Sequence, residues 1–209
     1  MASFYLETLG WAAAPAAAYF CALPLYLRIA PAPPKPVPRA VEWQSHLAIA
    51  ATPIANVALS WFLFAPTAAL RASHVLLGML VIDTAEYWSH RLLHTRALFD
   101  RLHWVHHSVG VPHPTVSFAN HFLEIVFTTP PILLGMLACG CSYREYVVST
   151  ALAFVATIAD HVAADPRAFH VMHHCGNKRR NLQQPFFTFW DHACGTYDSR
   201  SRRKIPFVP

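Results

Sequence analysis

The sequence has few charged residues and no cysteine motif. Only 13% of its 209 residues are Asp, Glu, Lys or Arg, whereas 55% are hydrophobic. Its five cysteines, at positions 21, 139, 141, 175 and 194, form no Cys-x-x-Cys pair and no disulfide-like framework, so reduced thiols are predicted. These absences exclude a disulfide-rich secreted protein and argue against an ordinary soluble domain. The length predicts one domain, and the composition predicts a polytopic membrane protein.

Other absences restrict the function. The chain has no recognisable nucleic-acid-binding module, and its basic residues stand beside apolar segments, so the formal charge of +5 indicates a membrane surface and no nucleic-acid partner. It has no Gly-x-Gly-x-x-Gly fingerprint, no flavin module and no cytochrome b5 domain. We therefore expect the electrons for any redox reaction to come from another protein.

Long apolar runs predict an all-helical integral membrane fold with about four to five transmembrane helices and a cytosolic histidine-rich di-metal cap. Residues 1–9 lack the basic segment of a cleavable signal, so the first run is predicted to be a retained membrane helix. The proline-rich stretch 30–39 is predicted to be a connector on the membrane surface. The apolar runs cover residues 4–27, 46–70, 75–82, 122–141 and 146–159.

The last two runs predict a helical hairpin, with TTPP at 128–131 breaking its first arm. We treat the chain as one membrane-embedded domain with three regions. These are N-terminal membrane helices at 1–74, a histidine-motif catalytic region at 75–198 and a basic tail at 199–209.

The basic residues are distributed asymmetrically about these runs. Of 16 Lys and Arg, only Arg71 and Arg144 fall in the turns opposite the histidine motifs, which leaves 14 on the histidine side. The positive-inside rule assigns the side richer in Lys and Arg to the cytosol. We therefore expect a multi-pass membrane protein whose histidine motifs face the cytosol.

The densest chemistry lies in residues 90–107, HRLLHTRALFDRLHWVHH, which contain five of the fourteen histidines. His90 and His94 are four residues apart, so a helix would present both imidazoles on one face. Two HxxHH motifs follow the same logic. Within each motif the adjacent histidines diverge by about 100°, enough to reach two neighbouring ions. The motifs are His103, His106 and His107, and then His170, His173 and His174.

Two isolated histidines extend the set. His121 and His161 each stand at the end of an apolar run that returns the chain to the same side, so they are predicted to be the ninth and tenth ligands. A closed structural zinc site needs only four ligands, usually including thiolates, so this set suits two ions with open positions. Imidazole binds zinc, copper, iron and nickel, and ligand type alone leaves the metal open.

One feature of the sequence and one chemical argument favour iron chemistry at a membrane. The Glu-x-x-His pairs of carboxylate-bridged di-iron bundles are missing, which leaves a histidine-rich centre. Attack on an unactivated C–H bond requires a metal and O₂, because no side-chain acid, base or nucleophile performs it at neutral pH.

The motifs DTAEYWSHRLLH, LFDRLHWVHH, NHFLE, HVMHH and NLQQPFFTFWDHACGTY resemble, in this order, the fatty-acid hydroxylase and sterol desaturase superfamily of membrane di-iron oxygenases. The resemblance covers roughly residues 75–198 and is nearest to the sphingoid-base C4-hydroxylases. It implies that ten histidines hold two Fe ions, with O₂ as co-substrate. These are His90, His94, His103, His106, His107, His121, His161, His170, His173 and His174.

The same resemblance implies a substrate, a partner and a compartment. The substrate would be a long-chain sphingoid base such as sphinganine, hydroxylated at C4 to a phytosphingosine-type base. Cytochrome b5 and its reductase would supply electrons at the endoplasmic reticulum. A sterol desaturase or methyl-sterol oxidase, or a fatty-acyl hydroxylase, would use the same ligands, and a zinc-binding membrane protein without redox chemistry is the alternative from another class.

Several further residues are assigned around this set. Asn120 and Glu124 are expected to orient ligands, and Asp165 either lies near the metal or caps a turn. Phe122 stands where the family has proline and His192 where it has arginine. Four phenylalanines are candidates to line an apolar cleft for the lipid chain, with simple packing as the alternative: Phe118, Phe122, Phe186 and Phe187. The histidines predicted not to be ligands are His46, His74, His113 and His192.

Overall fold

The computed structural model describes residues 2–33, 35–64, 70–162 and 169–198, and all regular structure in these ranges is helical. This confirms the all-helical prediction for the described part of the chain. Asp165 and the basic tail 199–209 lie outside the described residues. The α-helices are α1 (Ala2–Ala12), α2 (Ala14–Leu27), α3 (Arg39–Leu63), α4 (Ala72–Leu93), α5 (Arg96–Leu98), α6 (Trp104–His107), α7 (Phe122–Ala138), α8 (Tyr143–Asp160), α9 (Phe169–Cys175) and α10 (Phe189–Ala193). A π-helical turn spans Phe99–His103 and a 3₁₀ turn spans Pro114–Val116.

The two arms of the predicted hairpin form the consecutive helices α7 and α8, and each of them packs against α4. However, α7 runs unbroken through Pro130 and Pro131, so the prediction that TTPP interrupts this run is wrong. Each proline removes one backbone N–H and with it one bond to the carbonyl four residues earlier. The apolar packing of α7 against α4 holds the helix together despite that loss.

The start of α8 is fixed by a capping box. The Ser142 hydroxyl accepts from the Glu145 backbone N–H, and the Glu145 carboxylate accepts from the Ser142 N–H. The same carboxylate accepts from the backbone N–H, Nε and Nη2 of Arg71, at 2.8 to 2.9 Å. Glu145 therefore ties the residue before α4 to the first turn of α8.

Helix α4 is the central helix and packs against both α7 and α8. A Cβ at Gly78 would lie 2.5 Å from Ser149 Oγ of α8, so only glycine permits this approach. On α7, a Cβ at Gly135 would lie 2.7 Å from Cγ1 of Val81 in α4. The two glycines let α8 and α7 each pack closely against α4.

Within the described residues, one helical stretch is long and apolar enough to cross a membrane, Thr8–Leu27, and α7 is a shorter apolar helix. The proline-rich connector ends at Pro38, the residue before α3, so α3 begins at Arg39 rather than at position 46. Many large apolar side chains are exposed on the helix surfaces, among them Leu6, Ile54, Phe122 and Leu134.

Candidate metal centre

The first two histidines lie at the end of α4. His90 is in its last turn and His94 is the C-cap residue, and their Nε2 atoms are 3.1 Å apart. The chain then forms the π-helical turn and α6, which carry the first HxxHH motif. His107 of α6 places its Nε2 3.3 Å from Nε2 of His94 and 3.2 Å from Nε2 of His173 in α9.

These contacts assemble a first group of five imidazoles, which offer ligand atoms that lie within 4.8 Å of one another. The group comprises His90, His94, His103, His107 and His173. Four of its members are buried, and the fifth, His94, is half-buried. It draws on three parts of the chain: the end of α4, the segment before α7, and α9.

A second group of four buried imidazoles lies beside the first, again with ligand atoms within 4.8 Å of one another: His106, His161, His170 and His174. The Nε2 atoms of His106, His170 and His174 form a triangle with 3.0 Å sides. The two adjacent histidines of each HxxHH motif enter different groups, as their divergence on a helix predicts.

The donor set fits metal ions. Two nitrogens bound at about 2.1 Å to one ion, at a right angle, lie about 3.0 Å apart, close to the spacing seen in both groups. His161 donates from Nδ1 to the Thr157 carbonyl at 2.7 Å, so in the neutral ring Nε2 carries no proton and has a free lone pair. Within the described residues that buried Nε2 has no hydrogen-bond partner, and the same holds for Nε2 of His103. A cation is the partner that such lone pairs lack.

Hydrogen bonds to the second ring nitrogen orient three further ligand candidates. His90 donates from Nδ1 to the Leu182 carbonyl at 2.7 Å, and His173 donates from Nδ1 to the Arg180 carbonyl at 2.9 Å. A carbonyl can only accept, so both Nε2 atoms are free to bind metal. Nδ1 of His103 lies 3.0 Å from Oε1 of Glu124, the carboxylate–histidine arrangement typical of metal sites.

The loop that supplies the two carbonyls is itself held by buried carboxylates. Asp191 accepts from the backbone N–H of Leu182 at 3.0 Å and of Gln183 at 2.9 Å. Asp83 of α4 accepts from the Gln183 side chain and from the backbone N–H groups of Phe186 and Phe187. That these two carboxylates hold the loop was not predicted from the sequence. The only sequence signal for these roles is that each residue is acidic: Asp191 in the NLQQPFFTFWD motif and Asp83 in α4.

Burial lowers the pKa of all nine imidazoles. It brings the pKa of His90 to about 4, against the opposing effect of the Leu182 carbonyl, and that of His161 to about 4, against Thr157. In the other seven, burial is the largest cause and neighbouring imidazoles depress the pKa further. All nine are neutral at pH 7, the state in which imidazole binds metal.

The structure does not bring the tenth predicted ligand to the cluster. His121 is the N-cap of α7, its Nδ1 accepts from the Leu123 N–H, and it belongs to neither group. A histidine at this position is explained by its role as a helix cap and requires no metal, so we remove His121 from the ligand set. The side-chain oxygen of Asn120 is buried without a hydrogen-bond partner among the described residues, so no hydrogen bond of that oxygen supports the expected role of Asn120. Glu124 does contact a histidine, as expected.

The four phenylalanines proposed as cleft lining also lie elsewhere. Phe118 packs between Tyr19 and Phe154, Phe186 packs on the core around α4, α7 and α8, and Phe122 is 71% exposed. A groove does exist, but it lies between α4 and α7 and none of the four lines it. The packing alternative is therefore the better account of Phe118 and Phe186.

Comparison with known proteins identifies several relatives of this chain. The chain is 32% identical to a sphingolipid C4-hydroxylase of Schizosaccharomyces pombe over 135 residues, which cover 57% of this chain and 46% of the relative. It is 32% identical to sphinganine C4-monooxygenase 2 of Arabidopsis thaliana over 143 residues, 61% of this chain and 55% of the relative. A very-long-chain aldehyde decarbonylase of Oryza sativa is 29% identical over 147 residues, 63% of this chain and 57% of the relative.

The chain thus spans about half the length of the curated relatives it matches. No solved structure matches it. A sequence profile of the fatty acid hydroxylase family matches residues 75–196, which contain both histidine groups and the loop that orients them. The chain belongs to the fatty acid hydroxylase family.

Proposed function

We propose that this protein is a membrane di-iron monooxygenase that hydroxylates a long-chain sphingoid base, sphinganine, at C4. The observation that carries the proposal is the pair of adjacent imidazole groups within the matched region. Relatives named as C4-hydroxylases of sphingolipids and of sphinganine support the substrate. In the balanced reaction, one atom of O₂ becomes the new hydroxyl, and two electrons with two protons convert the other into water.

Each group would hold one ion. His90, His94, His103, His107 and His173 would hold the first, and His106, His161, His170 and His174 the second. Iron at these positions would supply the activation of O₂ that attack on a methylene C–H bond requires. The protein's part is to keep nine neutral nitrogens converged and largely buried, with His90 and His173 fixed by backbone carbonyls.

We further propose that the histidine side faces the cytosol, in the endoplasmic reticulum, and that the chain crosses the membrane four to five times. The support is the asymmetry of charge, with 14 of 16 Lys and Arg on the histidine side. Among the described residues, Arg91, Arg96, Arg101 and Lys178 of this side are exposed. They suit a negatively charged membrane surface and an acidic electron donor such as cytochrome b5, which we propose as the partner.

The test is expression in a host that lacks sphingoid C4-hydroxylation, followed by lipid analysis. We expect phytosphingosine-type bases with the wild-type chain and none with His106→Ala or His173→Ala, one from each group. His121→Ala is the matched control, because this histidine caps a helix outside both groups, and it should retain product formation. Full activity in either group variant would contradict the ligand assignment.

Lipid analysis of the same host separates the rival substrates. The similarity to an aldehyde decarbonylase favours a second candidate, conversion of a long-chain aldehyde to a hydrocarbon, which would appear as an alkane without any new hydroxylated base. An oxidised sterol or a hydroxy fatty acid would indicate the other rivals on the same scaffold. Tightly held zinc with no O₂ consumption under reducing conditions would identify a non-redox zinc protein instead.

A further inference from the structure

An apolar groove of about 730 Å³ lies between α4 and α7. One wall is formed by Leu77, Val81, Trp88 and Leu92 of α4, and the other by residues of α7 that include Phe127 and Gly135. Trp88, Leu92 and Phe127 are each about half exposed, at 46%, 52% and 51%, so the groove opens sideways onto the surface that would face lipid. An occupant could therefore enter from the bilayer.

The groove is long and extends toward the metal centre. Its lining on α4 runs from Leu77 to Leu93, which at 1.5 Å per residue is about 24 Å. That exceeds the roughly 15 Å of hydrocarbon in one leaflet. At its far end, Leu93 immediately precedes His94, and the lining residue Leu98 immediately precedes Phe99, whose ring lies 5.3 Å from that of His94. The groove thus ends at residues that neighbour the first histidine group along the chain, and no histidine is among its lining residues.

The walls offer hydrocarbon contact with little free polarity. The polar side chains of the lining are Thr84 and Ser89. The Thr84 hydroxyl donates to the Leu80 carbonyl and accepts from Trp190 Nε1, so its hydrogen-bonding capacity is already used. At the level of Val81 and Gly135, the close approach of α4 and α7 forms the floor of the groove. Such a surface selects an alkyl chain over a polar ligand.

We propose that this groove binds the alkyl tail of the lipid substrate, with the tail end toward Leu77 and the oxidised end beside His94. The identity of that lipid rests on the proposed function, whereas its location does not. A tail that fills about 24 Å beyond the metal centre places the oxidation near the polar head of the lipid. Leu77 and Leu80 then bound the tail end and set the preferred chain length.

The matched pair of substitutions is Leu80→Trp and Leu76→Trp. Leu80 lines the tail end and is 36% exposed, so an indole there fills the groove without disturbing the core. Leu76 is 51% exposed and is not part of the lining, so it controls for a surface tryptophan on the same helix. With full-length and shortened sphingoid bases, Leu80→Trp should lower the preference for the full-length base by roughly tenfold, as expected when about two methylenes lose apolar contact. Leu76→Trp should leave the preference unchanged.

A binding measurement makes the location testable without turnover. A sphingoid base with a photoreactive group on its tail is crosslinked to the full-length wild-type chain in lipid nanodiscs, and the labelled peptides are identified by mass spectrometry. We expect label within residues 77–93 and 127–135, lost in Leu80→Trp and displaced by unlabelled base. Label around Phe118 or α2, or label displaced only by bulk phospholipid, would overturn the proposal. Groove labelling without hydroxylation of any base would instead count against the proposed function alone.

Discussion

Replacing Asp191 by asparagine should loosen two metal-ligand candidates that the carboxylate never touches. Asp191 is fully buried, and its two oxygens accept from the backbone N–H groups of Leu182 and Gln183. Those bonds fix the loop whose Leu182 carbonyl orients His90 and whose Arg180 carbonyl orients His173. Asparagine has one oxygen fewer and no charge, and its amide N–H₂ would face a backbone N–H.

The magnitude follows from the bonds that change. A hydrogen bond to a charged group contributes about 1.5–3 kcal/mol, and an unsatisfied buried donor costs about 1–3 kcal/mol, so the loop should lose roughly 2.5–6 kcal/mol of local stability. Loss of a partner that orients metal ligands typically lowers metal affinity by about 10–100-fold. We expect Asp191→Asn to fall in that range, since His90 and His173 both belong to the first group.

The assay is retention of iron against increasing chelator, measured by elemental analysis of the full chain after desalting. The matched control is Asp100→Asn, the same change at an exposed residue. Circular dichroism and thermal unfolding, measured in parallel, show whether the variant loses only its iron or also its overall fold. If Asp191→Asn retains iron at the same chelator concentration as wild type while its melting temperature falls, the carboxylate supports only the fold, and the reasoning fails.

Three more predictions concern the scaffold and the ligand set. Burial alone would raise the pKa of Glu145, but its hydrogen bonds hold that pKa at about 2. With its exposed partner Arg71 screened by solvent, this contributes about 1–2 kcal/mol above pH 5, which disappears toward pH 2. The difference in unfolding free energy between wild type and Glu145→Gln should therefore shrink on acidification, and a constant difference would contradict it. Gly78→Ala should destabilise by about 1–3 kcal/mol through its clash with α8, whereas Gly10→Ala, with open space around it, should be neutral or stabilising in thermal unfolding. His121→Ala should bind as much iron as wild type and His173→Ala less; equal loss in both would restore His121 to the ligand set.

Local spacing predicted the histidine groups because both HxxHH motifs do form helices. The 100° step between adjacent residues is a property of the helix, so the division of His106 and His107 between two groups could be predicted without knowing the fold. His121 was predicted to be a ligand, but it is the N-cap of α7. A polar residue before an apolar helix is a typical N-cap, and sequence alone does not distinguish a cap from a ligand.

The remaining features depend on how distant segments meet. Every residue carries a carbonyl, so nothing in the sequence marks those of Arg180 and Leu182 as the acceptors for His173 and His90. The groove likewise follows from the crossing of α4 and α7 at Gly135, where the absence of a side chain matters more than any aromatic residue. Phenylalanines near the histidine motifs, such as Phe118, instead fill the core between α2 and α8.

Helix α4 connects the metal centre and the groove, because one of its faces carries His90 and another face lines the groove. Asp83 and His90 are seven residues apart, so they lie within about 20° of each other on the helix. Asp83 anchors Phe186 and Phe187, and His90 meets the Leu182 carbonyl of the same loop. The groove wall is the opposite face of α4, because Leu77, Val81 and Trp88 lie about 140–180° around the helix from His90. Because one rigid helix carries the loop on one face and the groove wall on the other, we expect the distance from the tail of a bound lipid to the metal centre to be set within α4 itself. A change in lipid-chain preference can therefore arise from the groove wall alone, with both histidine groups unchanged.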